Sequence, residues 1–300
     1  MATGLSLSDS SSLEDMSKII VAEAIANVEP SAPMADLVSR YDIPSGAKQV
    51  NVPVWGRQSA VALTEGVDIS VPQQVTATVV NLTASEHGIL SFISDRLRHE
   101  NNENVLSAVG TMHGRAVGRL LDSDLITLLD GFSTSKPGAG SNATFVTIAG
   151  AISYLRTDNN SAYGPAPSKP NAVLHPEQIR RLTQEVAGAQ AGGAGMPAQT
   201  IPEGPSADII KSYWRGNDPV FGVPIYEDGN ISRDGNGDSK GGVFAKEALA
   251  LAMEIEIHAE EERDASLRGT EVVTVGTWGE SEIVDVWGVE IYSATDASTT

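Results

Sequence analysis

Cysteine is absent from this chain of 300 residues. That absence excludes disulfide staples, thiolate metal sites and cysteine nucleophiles together. Basic charge is scarce as well: 20 Lys and Arg stand against 39 Asp and Glu, for a formal net charge of −19. Binding to nucleic acid runs on clustered Lys and Arg, so a surface of this kind repels phosphate. No apolar run approaches the roughly 20 residues that a helix needs to span a bilayer. The opening Met1-Ala-Thr-Gly-Leu-Ser lacks the charged-then-apolar pattern of a secretory signal, which points to synthesis in the cytoplasm. No internal repeat is present.

What is there suffices for a large core in one domain or two smaller ones. The most informative stretch runs from Gln49 to Gly131. Gln49-Val-Asn-Val-Pro-Val-Trp55 puts Val50, Val52 and Val54 on one side of a strand. Val71 to Val80 returns with Val75, Ala77 and Val79 alternating against Gln74, Thr76 and Thr78. Gly56 to Ser70, between them, is too long for a tight hairpin and too polar for a core. In an isolated chain Val61, Leu63, Val67 and Ile69 would stay wet, each giving up about 1.5–3 kcal/mol of burial. These four, with Trp55 at the base, are therefore expected to touch a neighbouring subunit. Arg57, Glu65 and Asp68 are the candidates for intersubunit charge pairs.

Helical spacing marks several other segments. Ser11-Ser-Leu-Glu14 forms a capping box ahead of Leu13, Met16, Ile20, Ala24 and Val28, and Pro30 and Pro33 stop that helix. After the arm, Ile89, Phe92, Ile93 and Leu97 fit a short helix, with a break at Asn101–Asn104. From Val105 to Asp130 the stripe Val109, Met112, Ala116, Leu120, Leu125, Ile126 and Leu129 implies one helix, about 39 Å long at 1.5 Å per residue. Gly110, Gly114 and Gly118 recur along it. Close packing on a neighbouring element accounts for them, and a bend in the helix is the sharper alternative.

Downstream, Phe145, Ile148, Ala149, Ile152 and Leu155 trace another helix, and Asn171 to His175 reads as a buried strand before a helix opened by Pro176. Gly188–Gly204 and Glu227–Gly242 read as surface loops of little weight in stability. Glu260-Glu-Glu262 with Arg263 reads as a solvated helix end. Glu271–Val275 and Ile283–Tyr292 are closing strands.

Motifs with chemistry fail on context. Gly138-x-Gly140-x-x-Ala143 matches a dinucleotide fingerprint, but such a fingerprint follows a strand directly. Here the long helix, Gly131 and Pro137 precede it, so it reads as a linker. Asp234-Gly-Asn236-Gly-Asp238 opens like a calcium loop, yet Ser239 and Ala245 stand where Gly and Glu are required, which leaves an acidic turn. His87, His99, His113, His175 and His258 show no ligand spacing, and no nucleophile elbow, Walker loop or catalytic carboxylate pair occurs. The expectation is a chain that is not an enzyme, with no catalytic, cofactor or metal site.

The order of elements is arm, extended loop, long helix, α/β middle section and closing strands. It resembles the major capsid proteins of tailed bacteriophages, which share the Hong Kong 97-type fold with encapsulins. The likeness is carried by Ala62-Leu-Thr-Glu-Gly66, Ala172 to Gln178, Val220 to Tyr226, Gly242 to Leu249 and Trp287 to Tyr292. The resemblance implies an α+β fold with an N-terminal arm (1–43), an extended β-hairpin loop (44–82), a peripheral domain with the spine helix (83–134 and 258–300) and an axial domain (135–257). It implies a major capsid protein that self-assembles, as hexamers and pentamers, into the icosahedral head shell of a virion enclosing the DNA genome. Implied partners are a separate scaffolding protein, a portal and decoration proteins, with no cofactor and no membrane. Some relatives cross-link the loop through a Lys. Here Lys48 at the base is the loop's single Lys, so that chemistry is not expected.

Two other readings compete. An encapsulin-like compartment would carry an enzyme cargo, and particle contents would tell it from a head. A soluble acidic hydrolase would need a Ser/His constellation, and none is assembled by the sequence.

Overall fold

Two long strands near the C-terminus, one rich in Val and Thr and the other in Ala, Leu and Glu, form a hairpin on which much of the described chain is arranged. In a computed structural model, residues 32–66, 68, 72–100, 105–158, 162–182 and 221–295 are described. The expected N-terminal helix, the break at Asn101–Asn104 and the loop Gly188–Gly204 lie outside those residues. The first described elements are helix α1 (Met34–Leu37) and strands β1 (Ser39–Asp42), β2 (Gln49–Trp55), β3 (Ala77–Thr83) and β4 (Ser85–Ser94). Helices α2 (Asp95–Glu100) and α3 (Val105–Thr127) follow, with a closing 3-10 turn, Leu128–Gly131. Strand β5 (Ser135–Pro137), helix α4 (Phe145–Arg156), strand β6 (Pro170–Leu174) and a helix α5 over 176–182 come next. Strands β7 (Ile225–Glu227), β8 (Asp238–Ala245), β9 (Leu249–Asp264), β10 (Gly269–Glu282) and β11 (Gly288–Ala294) complete the chain.

Among the described residues three sheets form. The first has the order β1-β9-β10-β4, the second β5-β11-β8-β6-β7, and β2 pairs with β3 alone. Helix α3 lies on one face of the first sheet, where Val117, Leu121 and Leu125 pack with Leu249, Leu251 and Trp278. A second core forms where α4 and α5 cover the five-stranded sheet, through Ile148, Ile152, Leu155, Leu182, Val243 and Ile291.

Several expectations give way here. Residues 85–94 are a strand, although Ile89, Phe92 and Ile93 carry helical spacing. The segment pairs antiparallel with β10 from Ser85↔Trp278 to Ser94↔Gly269. A β-branched and aromatic run beside a long open strand edge favours the ladder over the helix. The return strand of the arm is Ala77–Thr83, later than the Val71–Val80 expected. Glu260–Arg263 also belongs to a strand, β9.

The long helix forms, with its last turn tightened to 3-10, but its buried stripe is His113, Val117, Leu121 and Leu125. Met112 and Leu120, expected inside, are 60% and 41% exposed. No described atom lies within 4 Å of a Cβ built on Gly110, Gly114 or Gly118, so close packing does not explain them in the described chain. The last strand, β11, pairs with β8 and β5 in the second sheet rather than joining β10 beside the long helix.

The segment 227–242 is only partly a loop. Asp228, Ile231, Asp238 and Ser239 are buried, and a Cβ on Gly242 would come within 2.9 Å of Leu129. Its acidic turn is ordered: Asp234 Oδ1 accepts the peptide N–H groups of Asn236 and Asp238, at 2.8 and 2.9 Å. The Tyr292 hydroxyl donates to Asp234 Oδ2 at 2.6 Å, a bond that pushes the phenol up to about 12.

Candidate subunit interface

The arm has two faces because a strand alternates its side chains. Across the β2–β3 ladder Val50, Val52 and Val54 stand opposite Leu82, Val80 and Thr78. This side is the inner one. Val52 and Leu82 pack with Ile43, Ala84, Ala250 and Ala252, so the arm's root covers the first sheet on the face opposite α3. The outer side pairs Pro53 with Val79 and Trp55 with Ala77. Here Trp55 is 64% exposed and Val79 53% exposed. Val75 and Val79, read from sequence as an apolar stripe, therefore belong to the open face.

Beyond the strands the two segments stay side by side. Gly56 N–H donates to Thr76 O at 2.9 Å, and Ser59 N–H to Gln73 Oε1 at 3.0 Å. Val61 and Leu63 then stand 68% and 69% exposed, and Glu65 and Asp68 are exposed too. Val67 and Ile69 lie outside the described residues. Arg57 behaves differently. Its peptide N–H donates to Ala162 O at 2.7 Å, and its guanidinium meets Asp158 Oδ2 at 2.5 Å. It also lies beside Gly164, whose carbonyl accepts from Trp287 Nε1 at 3.2 Å. The arm is thus hooked at its root onto its own chain, and Arg57 already has an internal partner.

A second open face lies further along the first sheet. β1 pairs with β9 over Ala250–Met253, and among the described residues no strand pairs with that side of β9 from Glu254 onward. Opposite the helix side, Leu90 faces Val273, Phe92 faces Glu271, and Glu260 and Glu262 stand across from Val273 and Glu271. Leu90 is exposed and Val273 half-buried. Nothing in the spacing of Ile89, Phe92 and Ile93 signals this face, because it exists only once 85–94 is a strand.

The residues with chemistry are used structurally. His87 stacks on Trp278 at 4.3 Å, and Trp278 Nε1 donates to Asp124 Oδ2 at 3.2 Å. His113 lies 2.7 Å from Ser91 Oγ, and burial lowers its pKa. His175 Nδ1 accepts the peptide N–H of Glu177 at 3.0 Å, which orders the start of α5. The glycine fingerprint does follow a strand, β5, contrary to expectation. Yet the Gly140 N–H already donates to Asp238 Oδ2 at 3.0 Å, and β5 pairs with β11 outside any dinucleotide-binding topology. Among the described residues no group of three or more His, Asp or Glu could hold a metal ion, and no helix is long and apolar enough to cross a membrane.

No protein-family model and no curated protein sequence matches the chain. Solved structures match it over nearly its whole length. A structure of Mycobacterium phage Che8 superposes with a TM-score of 0.67 at 18% identity, covering 91% of this chain and 94% of the other. The capsid structure of the cyanophage P-SCSP1u gives 0.65 at 17%, covering 93% of each chain. The acidic stable capsid structure of the Helicobacter pylori bacteriophage KHP30 gives 0.66 at 11%, covering 99% and 100%. The chain therefore has the α+β Hong Kong 97-type fold of these capsid structures.

Proposed function

We propose that the chain is the shell-forming subunit of a tailed-phage head, assembling with copies of itself into a closed icosahedral particle around DNA. One observation carries this reading beyond the fold. The arm seals its inner face on its own sheet and leaves Trp55, Val79, Val61 and Leu63 bare on the other side and at the tip. A self-contained enzyme has no use for such an arm. A lattice of copies does, because each small contact is multiplied around the shell.

On this reading Trp55, Val61, Leu63, Val67 and Ile69 meet a neighbouring copy, with Glu65 and Asp68 at the rim. Arg57 keeps Asp158 and stiffens the arm's root. The β1-β9-β10-β4 sheet with α3 is the peripheral domain. The β5-β11-β8-β6-β7 sheet with α4 and α5 is the axial domain, and it includes the last strand. The role is structural rather than catalytic, and its place is the virion, after synthesis in the host cytoplasm. A scaffolding protein, a portal and decoration proteins are the further partners. A net charge of −19 keeps packaged DNA from adhering to the wall.

Electron microscopy of the purified chain tests the proposal. Uniform closed shells are expected, and a monomer under every condition would refute it. Particles holding an enzyme cargo in place of DNA would favour an encapsulin-like compartment.

A further inference from the structure

Two carboxyl groups meet inside the subunit, away from its open faces. Asp122 comes from α3 and Asp228 from the turn after β7, and their exposures are 1% and 0%. The Met34 peptide N–H donates to Asp122 Oδ1 at 3.1 Å, and the Asn230 side-chain amide donates to Asp122 Oδ2 at 2.9 Å. The Asn230 peptide N–H donates to Asp228 Oδ1 at 2.8 Å. Asp228 Oδ2 is buried with no donor. Three chain segments therefore converge on the pair: the entry of the N-terminal segment at Met34, the middle of α3, and the β7–β8 turn.

Asn230 bonds both carboxyls and so holds them side by side, and because two carboxylates can only accept, the unpartnered Asp228 Oδ2 can be satisfied across the pair only if one of them carries a proton. Other charged groups nearby are engaged elsewhere. Asp124, two residues along α3, takes the Trp278 indole N–H, and Asp36 pairs with Arg40 at the surface. The influences that act most on Asp228 are burial, Asp122 and Asn230, and none of these is a basic side chain. Full ionisation would leave two like charges side by side away from water, offset only by the Met34 and Asn230 N–H donors.

We infer that Asp122 and Asp228 hold a single proton between them, and that this proton latches the incoming N-terminal segment to α3 and the β7–β8 turn. Burial, reinforced by Asp122, pushes the Asp228 carboxyl up to about 8, so the latch is closed at neutral pH. An unfolded Asp titrates at its ordinary 3.8. Between that value and about 8 the folded chain keeps a proton that the unfolded chain has released. Stability therefore falls as pH rises across the window and levels off above it. Met34 is fully buried in the α3 core, so opening the pair loosens the first residue of α1 there. The latch belongs to the single chain and does not rest on the shell reading.

The test compares the full-length protein with Asp228→Asn, whose amide can donate to Asp122 at any pH. Hydrogen exchange at the Met34 amide is read in both proteins at about pH 6.5 and about pH 9.5. Raising the pH through the Asp228 value should cost the wild type roughly tenfold or more in protection relative to D228N. Equal protection in the two at the higher pH, or an equal loss in both, would overturn the latch. Should D228N not fold, infrared spectroscopy of the wild type decides alone. A protonated carboxyl band that bleaches near pH 8 is expected, and its absence at neutral pH would remove the proton.

Discussion

Gln178 has no exposed surface and makes four hydrogen bonds with one side chain. The two hydrogens on its Nε2 are shared among three acceptors, Ser239 O and Ile291 O, both at 3.1 Å, and Ser293 Oγ at 2.8 Å. Its Oε1 accepts the His175 peptide N–H at 3.0 Å. One amide thus ties the end of β6, the start of α5, β8 and β11 together, beside the buried hydroxyls of Ser239, Ser293 and Thr295. Each partner left unsatisfied in such a place costs about 1–3 kcal/mol. Gln178→Ala should therefore lower stability by roughly 3 kcal/mol or more, read as a drop in the denaturant midpoint. Gln178→Glu should fare no better, because a second carboxylate oxygen cannot donate. Residues 172–178 are legible in the sequence as strand, turn and helix start. The fourfold bonding is not, since Ser239, Ile291 and Ser293 lie far along the chain and only the closed sheet brings them in.

At the scale of elements, α3 shows what periodicity can and cannot tell. The helix is plain from spacing. Its inward stripe is not, because Met112, Ala116 and Leu120 run beside His113, Val117 and Leu121 and look the better core. The sheet chose the stripe holding a histidine, which Ser91 and Thr274 flank at 2.7 and 3.4 Å. Val117→Asp should cost about 3 kcal/mol or more, whereas Leu120→Asp should change stability by less than about 1 kcal/mol, in chemical unfolding of both. The glycines divide the same way. With open space around Gly118, Gly118→Ala should stabilise the helix by about 0.5–1 kcal/mol. Gly279 has no such room: its Cβ would press into the Thr83 carbonyl, and Gly279→Ala should be strongly destabilising in the same unfolding assay. A destabilised Gly118→Ala would mean that another segment lies on that side of α3. The strand β2 was legible to the residue, because a half-buried strand prints its alternation directly. Residues 85–94 were not, since their pairing with β10 depends on residues about 180 positions away.

For the whole molecule the decisive part is the arm. The root is fastened by the Val52–Leu82 core and by Arg57, so removing the tip should leave the fold intact. Deleting Gln58–Val67 is expected to give a soluble subunit with unchanged unfolding that forms no closed shells under electron microscopy. Normal shells from that deletion would mean that the tip contributes nothing to assembly. The division of labour between sheets was only half visible beforehand. Ile283–Tyr292 reads simply as a closing strand, and nothing in it reveals that 288–294 crosses to the second sheet to pair with β8.

The edge of β9 has one more consequence. Among the described residues nothing pairs with it from Glu254 onward, so it offers backbone donors and acceptors to any passing strand, and on the proposed shell reading copies would meet edge to edge. Fibril-like stacking would compete with productive growth from the first moments after synthesis. Glu254, Glu256, Glu260, Glu261 and Glu262 stud that edge. Glu262 even stands directly across from Glu271, a like-charge pair that weakens the hairpin slightly. On the shell reading, mutual repulsion along this fringe would keep crowded newcomers apart edge to edge, a little of the subunit's own stability given up so that growth does not run away into polymers with no inside.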